Sequence, residues 1–179
     1  RTGEPGFGQP RGEWFRKDAG FDDQIRSRFL PSVEAALAGQ LAAWAAERQG
    51  LLALLILLDQ FPRNLFRGEA KAFAGDPQAR QLAETALDQA WDKELSAVEK
   101  LFVYLPFEHS EALADQERSV ALFSALAAEH PGCDGFLDYA RRHHEVIARF
   151  GRFPHRNAAL GRPSTPEETS YLAQPGSGF

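Results

Sequence analysis

An all-α fold is what this sequence predicts, and three observations carry the expectation. Apolar residues recur at helical spacing, as in Phe21, Ile25 and Phe29 at i, i+4 and i+8. Helix starts and stops are marked by cap residues, prolines and glycines at the offsets those residues favour. No stretch alternates with the period of two that a half-buried strand requires.

The elements follow in order. Residues 1–13 hold four glycines and two prolines among polar residues and read as an irregular lead-in. From Trp14 the chain turns helical. A second apolar set, Val33, Ala36 and Leu37, follows Pro31 and ends before Gly39, so Pro31 is expected to start or bend a helix. Gln40–Glu47, with Leu41 and Trp44, reads as a short helix. Leu51–Gln60 is apolar on every side and rich in leucine, which favours a central buried helix over a buried strand. Asp76-Pro77 reads as an N-cap followed by proline at N1, launching a helix through Leu82, Ala86, Leu87 and Trp91. Ser96 and Glu99 form a capping-box pattern ahead of Leu101, Phe102 and Leu105. A helix over Asp115 to Glu129 would turn Val120, Phe123, Leu126 and Ala127 inward. Gly132 and Gly135 break the chain; Phe136 to Phe150 resumes helical spacing and stops at Gly151. Thr165-Pro166-Glu167-Glu168 combines N-cap, N1 proline and N3 glutamate, so a short last helix is expected. The sum is about seven or eight helices in antiparallel pairs, arranged as a TPR-like αα superhelix or compact array in one domain over 1–179. No repeat of fixed period is visible.

At 179 residues the chain has room for one domain with a sizeable core. Hydrophobic residues at 44% and charged residues at 25% exclude wholesale disorder. The net charge of −5 is unevenly spread. Residues 84–117 carry nine acids against two lysines, a net of −7, and 141–162 carry six arginines against Glu145, a net of +5. The single Cys133 excludes an internal disulfide framework and a cysteine-based zinc cluster. The longest apolar run, Leu51 to Leu58, falls far short of the ~20 residues that span a bilayer. With no secretory signal visible, the expected location is cytoplasmic. The sequence contains no methionine, even at position 1, so it is expected to begin inside the native protein.

Four blocks carry a family resemblance: Leu58-Asp59-Gln60-Phe61-Pro62-Arg63-Asn64, Tyr104-Leu105-Pro106-Phe107-Glu108-His109-Ser110-Glu111, Asp115-Gln116-Glu117-Arg118-Ser119, and Arg149-Phe150-Gly151-Arg152-Phe153-Pro154-His155-Arg156-Asn157. They closely resemble the bacterial "domain of unknown function 924" family, from Trp14-Phe15 to Gly178-Phe179. The resemblance implies an all-α, TPR-like fold and no function. Members usually open with a short aromatic-rich helix before the Trp14 equivalent, which implies that the native N-terminal helix is missing here.

The same blocks supply the candidate chemistry. Asp59, Gln60, Arg63, Asn64 and Arg67 follow directly after the apolar run. They read either as an ion pair locking a helix corner or as arginines aimed at a carboxylate or phosphate. Glu108 and Glu111 flank His109, an arrangement able to tune an imidazole for acid–base work. His143 and His144 border the core, but adjacent helix positions point about 100° apart and make a poor metal pair. Arg149, Arg152, His155, Arg156 and Asn157 cluster at a turn after Gly151, where a new helix start would favour an anion. The alternative is that these arginines neutralise the acidic 84–117 segment.

The leading expectation is a soluble binding module with a polar pocket of Arg63, Asn64, Arg67, His109, Arg152, His155, Arg156 and Asn157, walled by Phe107 and Phe153. It would take a small anion or an acidic peptide group, with no cofactor or metal. The alternatives are a hydrolase-like enzyme using His109 or His155 as general base near Glu108 or Glu111, and a purely structural scaffold. An acidic chain without a nucleic-acid or membrane-binding motif argues against those two partners.

Overall fold

The Asp18 carboxylate accepts a hydrogen bond from the Phe21 N–H at 3.0 Å and so opens the first long helix, α1 (Ala19–Leu37). The computed structural model describes residues 8 and 10–178. Residues 1–7 and 9 of the expected lead-in, and Phe179, therefore lie outside the described residues. The described end of that lead-in holds a 3-10 turn, Gly12–Trp14, rather than irregular chain throughout. Pro31 sits inside α1 and neither starts nor ends it. Its ring is exposed, so the Ser27 carbonyl that loses its intrahelical donor lies on the watery side of the helix.

After a 3-10 turn (Ala42–Ala46), α2 (Arg48–Leu55) runs into a π-helical turn, Ile56–Gln60, and straight on into α3 (Phe61–Leu65). Pro62 explains the irregularity. It has no N–H for the Leu58 carbonyl, and its ring would clash there in a regular helix. The wider π turn, in which the Phe61 N–H reaches back to Ile56, makes room for it. Gly75 then closes over the released carbonyl so tightly that a Cβ on it would stand 2.2 Å from the Leu58 oxygen.

Next come α4 (Asp76–Asp88), α5 (Ala97–Glu108), α6 (Leu113–Glu129), α7 (Asp134–Phe150) and α8 (Pro166–Leu172). Asp76 is the first residue of α4 and not its cap; Gly75 holds that position, and the Asp76 carboxylate is spent on Arg63. The helix ends at Asp88, so Trp91 begins a separate 3-10 turn. Both expected capping boxes form: Glu99 accepts from the Ser96 N–H at 2.9 Å, and Glu168 from the Thr165 N–H at 2.7 Å. Gly151 adopts the left-handed conformation, φ 68°, that ends α7. The fold is all-α; no strand occurs among the described residues. No helix among them is long and apolar enough to cross a membrane.

The chain divides into two compact units. The first holds the chain to Arg67 and Ala72–Pro106; the second holds Gly68–Lys71 and Phe107–Phe179. In the first, α1 packs on the π turn and α3, and α4 packs on α2 and the π turn. In the second, α6 and α7 form a long antiparallel hairpin, with Phe123, Leu126, Ala140 and Ile147 buried, and α8 meets the turn at Pro154–Arg156.

Candidate functional site

In the first unit, the residues after the apolar run are drawn into ion pairs. Asp59 is 1% exposed and lies 3.3 Å from the Arg63 guanidinium one turn along. Arg63 also grips Asp76 through two parallel bonds at 2.8 and 3.0 Å. Burial works to lower the Arg63 pKa, but Asp59 and Asp76 outweigh it and the net shift is upward. Arg67 holds Asp22 through bonds at 2.7 and 2.9 Å, and the Asn64 amide donates to Asp22 at 2.8 Å. Burial raises the Asp22 carboxyl, yet these partners carry it below its ordinary value. The Gln60 amide donates to Asp59. Arg63, Asn64 and Arg67 thus meet internal carboxylates.

Beside these pairs lies a cavity of about 370 Å³. Its walls are Trp14 and Phe102, Phe21, Ile25 and Phe29 of α1, Leu52 and Ile56, and Phe61 of α3. Phe29 and Phe61 meet with ring centroids 5.0 Å apart, and Trp14 and Phe102 at 5.5 Å. Gln24, Arg28, Gln60, Asn64 and Glu99 bring polar groups to it. Sequence reasoning found the Phe21, Ile25, Phe29 stripe and missed the cavity. Its signal was present: Gln24 and Arg28 fall at i+3 and i+7 of the same stripe, a polar pair on an apolar face.

The second unit gathers the remaining candidates around a buried imidazole that sequence reasoning set aside. His143 is 5% exposed and donates from Nδ1 to the Tyr139 carbonyl at 2.9 Å; a carbonyl only accepts, so this nitrogen carries the proton. Glu108, 3% exposed, lies 3.3 Å from the same nitrogen. Burial and then the neighbouring His109 push His143 down to about 3 against the pull of the Tyr139 bond, and His155 and Arg156 push the same way. The ring is therefore neutral near pH 7. His109 stands 6.2 Å from it, ring to ring, and Phe153, fully buried, stands 5.5 Å away on edge. His155 lies against Phe153 at 5.5 Å, and Arg156 stacks over that ring while donating to the His109 carbonyl at 2.9 Å. His109, His155 and Arg156 thus converge on His143. The signal for it was the i, i+4 step from Tyr139; its partner Glu108 is 35 positions away and gives no local sign.

Three other arginines of this unit, Arg149, Arg152 and Arg162, are held by acids. Arg152 clasps Glu168 through bonds at 2.6 and 2.8 Å. The Arg152 bond, helped by the Thr165 N–H, holds the Glu168 carboxyl down to about 2 against burial. Asn157 donates to Ser164 and Glu168 and accepts from Arg162 at 3.0 Å. Arg149 pairs with Glu167 at 2.8 Å. Arg162 grips Glu111 through bonds at 2.7 and 2.9 Å, and the Phe153 N–H donates to the same carboxylate at 2.8 Å. Burial alone would raise Glu111; these donors bring it below its ordinary value. Arg149 and Arg152 of the basic segment are thus neutralised by Glu167 and Glu168, and Arg162 reaches into the acidic segment through Glu111. Among the described residues, no group of three or more histidine, cysteine, aspartate or glutamate side chains is placed to hold a metal ion.

No curated protein matches the chain. A solved structure, the protein of unknown function ATU0120 from Agrobacterium tumefaciens, is similar to it at 43% identity. The likeness covers 90% of this chain and 88% of that one, with a TM-score of 0.82. The profile of the bacterial proteins of unknown function DUF924 matches residues 5–176. With its polar blocks now located in the fold, the chain belongs to the DUF924 family of bacterial proteins.

Proposed function

We propose that the protein is a small-molecule-binding module whose ligand occupies the aromatic cavity of the first unit. The observation that carries this reading is the cavity itself. Its 370 Å³ falls within the range of ligand pockets, ~300–1,000 Å³, and its walls join five aromatic and three aliphatic side chains to five polar ones. The π turn supports it further, because such turns reshape a helix face and recur at functional sites. Here Ile56 and Gln60, the first and last residues of that turn, both line the cavity. The expected arginine clamp at Arg63, Arg67 and Arg152 is weaker on this geometry, since a ligand anion would have to displace Asp59, Asp76, Asp22 or Glu168. In this reading the setting is the cytoplasm, where a thiol such as Cys133 stays reduced.

The test is a binding titration with the neutral probe 4-phenylbutanamide, followed by calorimetry and by thermal shift. The wild-type protein should bind it. Leu52→Trp, which fills the cavity from its wall, should keep the helical circular-dichroism signal and lose the probe. Equal binding by the filled variant, or none by the wild type, would sink the reading.

A further inference from the structure

We infer that the ligand of this cavity is an organic carboxylate with an apolar body, held by Arg28 and Gln24; this rests on the cavity being the binding site. Four arginines of the first unit, Arg48, Arg63, Arg67 and Arg80, each meet a carboxylate. Arg28 differs. Among the described residues it has no ion-pair partner, and its guanidinium carbon stands 5.0 Å from the centroid of a cavity-wall ring, Phe29. That stacking holds a cation at the mouth of an apolar space, with its N–H groups unspent.

Gln24 is the second donor. It stands one helical turn before Arg28 on the same cavity-facing stripe of α1, and its side chain has no partner among the described residues. The other polar groups at the cavity already have partners. The Asn64 and Gln60 amides each give an N–H to a carboxylate, Asp22 and Asp59. The one acid there, Glu99, is drawn back to its own helix start by the Ser96 N–H at 2.9 Å and hydroxyl at 2.6 Å. Unspent donors on one helix, beside aromatic walls, complement a carboxylate whose body is aryl or short alkyl. A neutral amide of the same shape would fill the walls and leave the charge of Arg28 unmatched.

The matched pair 4-phenylbutanoate and 4-phenylbutanamide tests this by calorimetric titration. The acid should bind the wild-type protein about tenfold more tightly, the scale of one charge-assisted contact, and the preference should shrink with added salt because Arg28 is exposed. Arg28→Gln should abolish the preference, bringing the acid to the affinity of the amide in the same variant, and Arg28→Lys should restore part of it. Equal binding of acid and amide, or a preference that survives Arg28→Gln, overturns the carboxylate assignment and leaves the cavity reading standing. An acid preference that persists in Leu52→Trp shows anion binding elsewhere and overturns it as well. If neither compound binds the wild type, both readings fall.

Discussion

The chain writes nearly the same string twice, Phe61-Pro62-Arg63-Asn64 in the first unit and Phe153-Pro154-His155-Arg156-Asn157 in the second, and builds different structures from it. The first copy continues a helix, because the leucine-rich run before it is already helical and a π turn absorbs its proline. The second follows the left-handed Gly151, which has just ended α7, so its proline opens a 3-10 turn instead. The aromatic rings diverge accordingly: Phe61 faces a cavity, whereas Phe153 is fully buried, with His143, His155 and Arg156 against its ring. A short motif specifies side-chain chemistry; what precedes it decides where that chemistry points.

The largest way to break the first copy is Gly75→Ala. Its Cβ would stand 2.2 Å from the Leu58 oxygen, against backbone that cannot swing aside. The expected loss is about 3 kcal/mol or more, read by urea unfolding, in line with other overpacked core positions. A change under about 1 kcal/mol would mean that the π turn is not clamped there.

Acid should act chiefly on the second unit. Its His143 has a folded pKa of about 3, below the ordinary 6.5, so the unfolded chain takes up a proton that the folded chain refuses. Stability is then full above pH 6.5 and falls as the pH drops toward 3. Glu168, lowered from 4.5 to about 2, adds a second loss over that lower window. Urea midpoints measured from pH 7.5 to pH 4.5 should decline for the wild-type protein and flatten in His143→Gln. An unchanged slope in the variant would remove His143 from the account.

The smallest effects separate the two asparagines. Asn157 is 1% exposed and has three side-chain bonds, so Asn157→Ala should lose about 2 kcal/mol. Asn64 is half-buried with one bond, to Asp22, and its alanine variant should lose about 1 kcal/mol. Equal losses would erase the contrast between the copies.

What was legible in advance was local. The capping boxes at Ser96 and Thr165 and the stop at Gly151 depend on residues three or four apart, and each forms where it is written. Pro31 misled, because a proline on an exposed helix face leaves its missing bond to water and need not end the helix. Asp76 misled for the opposite reason: a distant arginine outbid the local cap. The site was harder. The Glu108 and His143 contact joins positions 35 apart, and the cavity needs Trp14, α1, the π turn and α5 in one place. No periodicity reports such meetings.

A π turn is an ordinary helix carrying one residue too many. Removing a single residue from 56–60 would take that slack away and return the Pro62 ring to a clash with the carbonyl four residues before it. Ile56 and Gln60, at the two ends of the wider turn and both on the cavity wall, would lose the spacing that places them there. The shape of the cavity wall is thus encoded partly in a count of residues, which substitutions alone would leave intact.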